Sequence, residues 1–296
     1  MFIINHRKIF FIISAVLVLA AWSSIAYFGF NLGADFTGGS ILEVAYEDSR
    51  PEINTLRQAT TELGWEQLVL QPAGEKGLLV RAQTLTEVEK DSLVEILASQ
   101  DGGQLEEKRF SSIGPVIGSE LARKGIIAII VVAILIILYI AFVFRQVSRP
   151  VSSWKYGLIA VLALIHDVSI PTGVTVILGH YTGLEMNALF LTALLTILGL
   201  SVNDTIVVFD RVRENLRNKI SPHFPEVVGR SLRQTIARSL ITSLTLIFVL
   251  LAIYFYGGST TRDFALIMAL GMAVGTYSSI FLAAPLLVAW QGKTAK

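Results

Sequence analysis

Asp167 and Asp204 each lie inside an apolar run long enough to cross a lipid bilayer. A charge at the centre of hydrocarbon costs about 3 kcal/mol on insertion scales, so intramembrane carboxylates persist mostly where a bundle lines an ion or substrate path. That feature points to a membrane-embedded transport component rather than a plain anchor.

The rest of the composition agrees. Of 296 residues, 53% are hydrophobic and only 16% are charged, against about 25% charged in soluble domains. The charge deficit is concentrated in long runs. A net charge of +1 gives no polyanion signal, so no nucleic-acid partner is expected. The absence of cysteine excludes disulfides, thiolate catalysis and cysteine-held metals. His6, Arg7 and Lys8 precede an apolar run that reaches Phe30. That run is too long for a signal-peptide core and reads as a retained first span.

The expected fold is an α-helical polytopic membrane protein of six spans. They cover Ile9–Phe30, Gly125–Phe144, Tyr156–Leu178, Leu184–Phe209, Ile236–Tyr256 and Phe264–Trp290. Each can cross about 30 Å of hydrocarbon as a helix. The basic clusters His6–Lys8, Arg145–Lys155, Arg211–Arg238 and Lys293–Lys296 all fall on one side of this arrangement. Positive-inside logic then places both termini in the cytoplasm and residues 31–124 on the far, periplasmic side. The resulting divisions are 1–30, 31–124 and 125–296.

Residues 31–124 read as a small folded α+β domain. SILEVAY (Ser40–Tyr46) alternates as a strand, and Pro51–Leu63 has helical spacing. EQLVLQP and GLLVRAQ form two strands around Gly74–Gly77. Thr86–Ala98 is a helix with a Thr86/Glu89 capping box, and Leu105–Ser111 is a last strand. The order βαββαβ is the ferredoxin-like, split βαβ arrangement. Farther on, Ser221, Pro222 and Pro225 break the chain after span four. EVVGRSLRQTIARSL then reads as an amphipathic interfacial helix running into span five, with arginines able to meet anionic lipid.

Asp204 lies six residues before Asp210, about 9 Å along a helix, so it sits inside the membrane if Asp210 marks the border. A carboxylate there either loads and releases a proton as its surroundings alternate, or makes a static polar contact. Arg238, at the start of the antiparallel span five, is its natural partner; the alternative is an interfacial arginine. Thr242 and Ser243 extend a polar face beside it. Asp167 either relays protons or packs, and His166 has a switch-range imidazole that burial can silence. Pro171 frees a carbonyl of the same helix. Gly199, Gly271 and Gly275 read as helix-packing residues. Gly33, Gly38 and Gly39 permit tight turns after span one, with Asp35 and Thr37 bonding local backbone, a hinge or anchor rather than a ligand site. Phosphate-loop, HExxH and nucleophile-elbow patterns are missing, so no enzyme, cofactor or metal is expected. The energy source would be a partner ATPase or an ion gradient.

These segments closely resemble the SecD/SecF family of protein-export membrane proteins, a branch of the resistance-nodulation-division superfamily. LGADFTGG (Leu32–Gly39) resembles the family signature after the first span. SSIGPVIGSELARKG (Ser111–Gly125), HDV (His166–Val168), SVNDTIVVFDRVREN (Ser201–Asn215), ARSLITSLT (Ala237–Thr245), RDFA (Arg262–Ala265) and GTYSSIF (Gly275–Phe281) match further blocks across nearly the whole chain. The resemblance implies a partner of SecD beside the SecYEG channel and YajC, acting after SecA-driven initiation on unfolded preproteins in the inner membrane. It also implies use of the proton motive force, with sodium as the open alternative. Asp204 and Arg238 carry over as the coupling pair, and the far-side domain as ferredoxin-like. Some family members are fused to SecD; this chain carries one half only, so a complete proton path would need the SecD span. Small-molecule efflux and a purely structural assembly role are the competing classes.

Overall fold

A computed structural model of the chain describes residues 1–62, 64–65, 68–100, 105–143 and 152–291. Most of the basic cluster Arg145–Lys155, the cluster Lys293–Lys296, and the expected element ends at Leu63, Glu66, Gln67 and Phe144 lie outside the described residues. The chain divides into two compact units, residues 32–126 and residues 1–31 with 127–296.

The elements are α1 (Phe2–Asn5), α2 (Arg7–Phe28), α3 (Ala34–Thr37), β1 (Gly39–Tyr46), α4 (Ile53–Glu62), β2 (Val69–Ala73), β3 (Gly77–Ala82), α5 (Glu87–Ser99), β4 (Leu105–Ile113), α6 (Pro115–Val143), α7 (Ser153–Thr182), α8 (Ala188–Arg217), α9 (Phe224–Tyr256), α10 (Ser259–Ser278), a π turn (Ser279–Ala283) and α11 (Ala284–Gln291). Six of the helical stretches are long and apolar enough to cross a membrane.

In the smaller unit the four strands form one antiparallel sheet of order β2-β3-β1-β4. β1 and β2 therefore run the same way with β3 between them. Alternation puts Leu42, Val44 and Tyr46 of β1 and Leu78 and Val80 of β3 on one face, against Leu56 of α4 and Leu93 and Leu97 of α5. The Thr86–Glu89 capping box starts α5, with both reciprocal bonds made. The chain enters β1 through two glycines in the left-handed region, Gly38 at φ +79° and Gly39 at φ +135°. A Cβ on Gly38 would lie 2.6 Å from Pro115 Cα, and one on Gly39 2.8 Å from the Ala82 carbonyl oxygen. Only glycine satisfies both the backbone angle and the approach. Gly33 caps α3 in ordinary extended geometry, and the Thr37 hydroxyl bonds the Gly33 carbonyl at 3.1 Å. Asp35 lies in α3.

In the larger unit α7, α8 and α10–α11 are the most buried spans, whereas α6 turns almost all of its apolar surface outward. α2 lies along α7 through small residues: a Cβ on Gly173 would stand 2.5 Å from Ala21 Cα, and Ser24 donates to the Gly173 carbonyl at 3.2 Å. The expected amphipathic helix after span four is continuous with span five as the single helix α9, with Pro225 in its first turn, where a missing N–H costs nothing. Asn215 at the end of α8 pins this start, donating to Ser231 and Gln234 at 2.8 Å each. Pro171 sits inside an unbroken α7. It has no N–H for the carbonyl four residues earlier, that of Asp167.

Candidate ion-coupling site

The spans carry their polar residues at one level. One apolar cluster takes Ala163 of α7, Val208 of α8, Leu232 of α9 and Ile280 of the π turn. The other takes Val176 of α7, Ile197 of α8, Leu250 of α9 and Met272 of α10. Between the two, each helix places buried polar residues: His166 and Asp167, Ser201 and Asp204, Ser239 and Ser243, Thr276 and Ser278; Lys155, Asn215 and Ser231 are buried beyond the first cluster. The sequence thus builds a polar layer closed by apolar packing on both sides.

Asp167 is fully buried, and three side chains serve it. His166 Nδ1 and Asp167 Oδ1 share a hydrogen bond of 2.8 Å, and the hydroxyls of Ser201 and Ser278 donate to Oδ2, the latter at 2.7 Å. Bonds to an ionised acceptor are worth about 1.5–3 kcal/mol each, which is what allows a carboxylate to remain here. The His166 ring stacks on Tyr277 at 5.9 Å, and its Nε2 is buried with no hydrogen-bond partner among the described residues. Asp204, 9% exposed, is reached by the Ser243 hydroxyl at 3.4 Å. Thr276 of α10 in turn stands 2.6 Å from Ser243.

Arg238 is placed differently from the expected contact. Its charge is close enough to act on Asp204, but no ion pair within 4 Å joins the two among the described residues, and Arg238 is exposed on the outside of α9. Thr242 shares that outer face, while Ser243 points inward to Asp204. Gly199 is a correction. A Cβ there would meet nothing within 4 Å, so among the described residues no neighbour approaches it closely. Together with Thr192, Thr196 and Asn203 it forms an exposed stripe on α8 at helical spacing, and Arg238, Thr242 and Thr245 form another on α9. Gly271 and Gly275 do lie at a close approach, with hypothetical Cβ atoms 2.1 Å from Ile197 Cδ1 and 3.0 Å from Ser201 Cβ.

Sequence reasoning gave no role to Ser201, Thr276 or Ser278. The available signal was that two buried carboxylates need hydroxyl or N–H donors from neighbouring spans. The π turn was also missed. Its signal is Pro285, which lacks the N–H that an unbroken helix would direct at Phe281; such turns are frequent at functional sites. No group of three or more His, Cys, Asp or Glu side chains suited to a metal occurs among the described residues.

A family model described as "Protein export membrane protein SecD/SecF, C-terminal" matches residues 93–293, and one for the "SecD/SecF GG Motif" matches residues 24–49. The protein translocase subunit SecF of Thermobaculum terrenum is 40% identical, covering 98% of this chain and 94% of that protein. The protein translocase subunit SecDF of Thermus thermophilus is 38% identical over 96% of this chain and 38% of its own length. The crystal structure of SecDF from Thermus, a translocon-associated membrane protein, aligns with a TM-score of 0.83 at 36% identity, over 98% of this chain and 38% of that one.

Proposed function

The chain belongs to the SecD/SecF family of protein-export membrane proteins, and from that premise we propose that it is the SecF subunit that converts the proton motive force into preprotein movement. The coarser part needs no proposal: it is a multi-pass inner-membrane protein of protein translocation, in a family whose members associate with SecD. The finer reading has both termini cytoplasmic and the ferredoxin-like domain periplasmic. SecYEG, YajC and the ATPase SecA are neighbours in the pathway, and the unfolded preprotein is the cargo.

One observation carries the reading: two carboxylates, Asp167 and Asp204, are buried in one polar layer inside the bundle, while α9, which supplies Ser243 to Asp204, carries on its other face an exposed stripe that includes Arg238. An arginine facing lipid at that depth is costly, so a SecD helix bearing a complementary group covers the stripe. Asp204 loads a proton when its attraction to Arg238 is broken and gives it up when the pair re-forms. Water enters between the bundles in one state only, and the periplasmic domain changes position with it. Asp167 and His166 form a second protonatable pair in the same layer.

The test is precursor translocation into inverted vesicles holding SecYEG and the SecD partner, at saturating ATP with SecA. Wild type gains from a proton gradient, and Asp204→Asn does not. Equal gains in both would end the assignment. Replacing the proton gradient by a sodium gradient identifies the ion. Because the chain has no cysteine, single substitutions report orientation: Glu62→Cys reacts with an impermeant maleimide from the periplasmic side and Arg217→Cys does not.

A further inference from the structure

Three hydroxyls around the two carboxylates have more acceptors than protons. Thr276 has one proton and two acceptors within reach, Ser243 Oγ at 2.6 Å and the Met272 carbonyl at 2.8 Å. Ser243 likewise faces Asp204 Oδ2 at 3.4 Å and Thr276 Oγ1 at 2.6 Å. Ser278 faces Asp167 Oδ2 at 2.7 Å and the Gly275 carbonyl at 3.0 Å. Each set can satisfy only one arrangement at a time. An ionised Asp204 takes the Ser243 proton, and Ser243 then takes that of Thr276. A neutral Asp204 donates its own proton to Ser243, Ser243 turns to Thr276, and Thr276 turns to the Met272 carbonyl. Every hydroxyl keeps one proton in both arrangements, and only the direction of donation reverses.

The same choice exists at Asp167. Ionised, it accepts from Ser278; neutral, it releases Ser278 to the Gly275 carbonyl. The two switches stand two residues apart on α10, directly before the π turn, and the same helix supplies both alternative acceptors. α8 joins the carboxylates a second time, through Ser201 on Asp167 and Asp204 itself one turn later. Of the charged and titratable groups around the layer, His166 lies on Asp167, Tyr277 stacks on His166, and Arg238 stands on the outer face of α9 with its charge near enough to be felt at Asp204.

We infer that Thr276 and Ser278 form a two-position hydroxyl switch on span six, through which the protonation state of Asp204 is read at Asp167 and His166. They are positioning residues, since the protons they hold stay on them. The inference rests on the reading of Asp204 as the coupling carboxylate, and it names the element that both carboxylates bias. Coupling between sites requires such a two-state element rather than mere proximity.

The experiment is ring-nitrogen NMR of His166 in the full chain with its SecD partner in lipid nanodiscs. The chain has four histidines, so His166→Gln assigns the signal. Asp204→Asn is expected to move the His166 ring-nitrogen resonances. Thr276→Val, close in size but without the hydroxyl, is expected to remove at least half of that response; Thr276→Ser restores it, and Thr242→Val on the outer face leaves it intact. A response to Asp204→Asn that survives Thr276→Val, or no response at all, overturns the inference. Failure of gradient-stimulated translocation in wild type, with the NMR coupling present, would instead overturn the proposed function and leave the switch standing.

Discussion

Gly271→Ala probes the close approach of spans four and six without touching a polar group. The new Cβ would lie 2.1 Å from Ile197 Cδ1 and 2.4 Å from its Cγ1. Ordinary carbon contacts are about 3.5–4.0 Å, so the Ile197 tip must retreat by about 1.5 Å. Ile197 is only 1% exposed and has no open side to move into. Overpacking of this kind costs about 1–3 kcal/mol. Ile197→Ala alone leaves a cavity and costs about 2–5 kcal/mol. In the double variant the alanine methyl occupies part of the cavity and meets none of the deleted atoms. The double should therefore be less destabilised than the sum of the singles by about 1 kcal/mol or more. The assay is reversible SDS unfolding in bicelles followed by tryptophan fluorescence. Additivity within about 0.5 kcal/mol would refute the packing argument. Gly275→Ala differs in kind: its Cβ presses on Ser201 at 3.0 Å, and Ser201 serves Asp167. It should lose gradient-stimulated translocation with a smaller loss of stability than Gly271→Ala.

Gly38→Ala should lower hydrogen-exchange protection of the β1 amides far more than Gly74→Ala. Both impose a left-handed φ at about 1–2 kcal/mol, but only the former drives a Cβ into the Pro115 backbone, while Gly74 has open space. Thr86→Ala should fray the start of α5 at a cost of about 1 kcal/mol, read by exchange of the Glu89 and Lys90 amides. The Thr86 backbone N–H, then its hydroxyl, hold the exposed Glu89 carboxyl below its ordinary value of 4.5. A depressed carboxylate stabilises the fold above its unfolded pKa, and the contribution fades as pH falls through the folded value. Protection at that helix start should therefore drop as acid protonates Glu89, and the drop should shrink in Thr86→Ala, which loses the hydroxyl bond and keeps the backbone one. Arg238→Gln should leave unfolding nearly unchanged, because Arg238 is exposed and unbonded to Asp204, yet abolish the response to a proton gradient; a large stability loss would mean it is structural.

Much of the fold was legible because its signals are local. Alternation in SILEVAY and GLLVRAQ placed β1 and β3, and the Thr86–Glu89 spacing placed the start of α5 within a residue. Span ends were less legible. α6 starts ten residues before Gly125, because PVIGSELARKG is already helical while still partly polar. α9 likewise absorbs the amphipathic segment, since Arg230 and Arg233 alternate with apolar residues at a period that suits either an interfacial helix or an extended span. Asp167 and Asp204 stood out as charges in apolar runs, but their partners did not. Ser201, Thr276 and Ser278 are unremarkable hydroxyls until the bundle brings them onto the carboxylates. Gly199 misled because a small residue at helical spacing marks a contact without saying whose helix makes it.

The two apolar layers that close the polar seam differ in a way that bears on how water would reach it. One is built from Tyr156, Phe209, Phe224 and branched aliphatics, with the Tyr156 and Phe209 rings edge to face at 5.2 Å. The other contains Met186, Met268 and Met272, three of the four methionines in the chain. Methionine is unbranched and repacks readily, whereas interlocked rings and branched chains do not. Under the proposed function, hydration of Asp204 then proceeds by parting the methionine layer, which sits toward the Thr182–Asn187 connection, the periplasmic end in the proposed orientation. Met268→Leu with Met272→Leu nearly conserves volume and should cost less than about 1.5 kcal/mol in stability. It should nevertheless slow gradient-stimulated translocation several-fold and leave the ATP-driven phase untouched. An unchanged gradient response in that double variant would show that the methionine layer stays closed through the cycle, and would move the water path to the aromatic side.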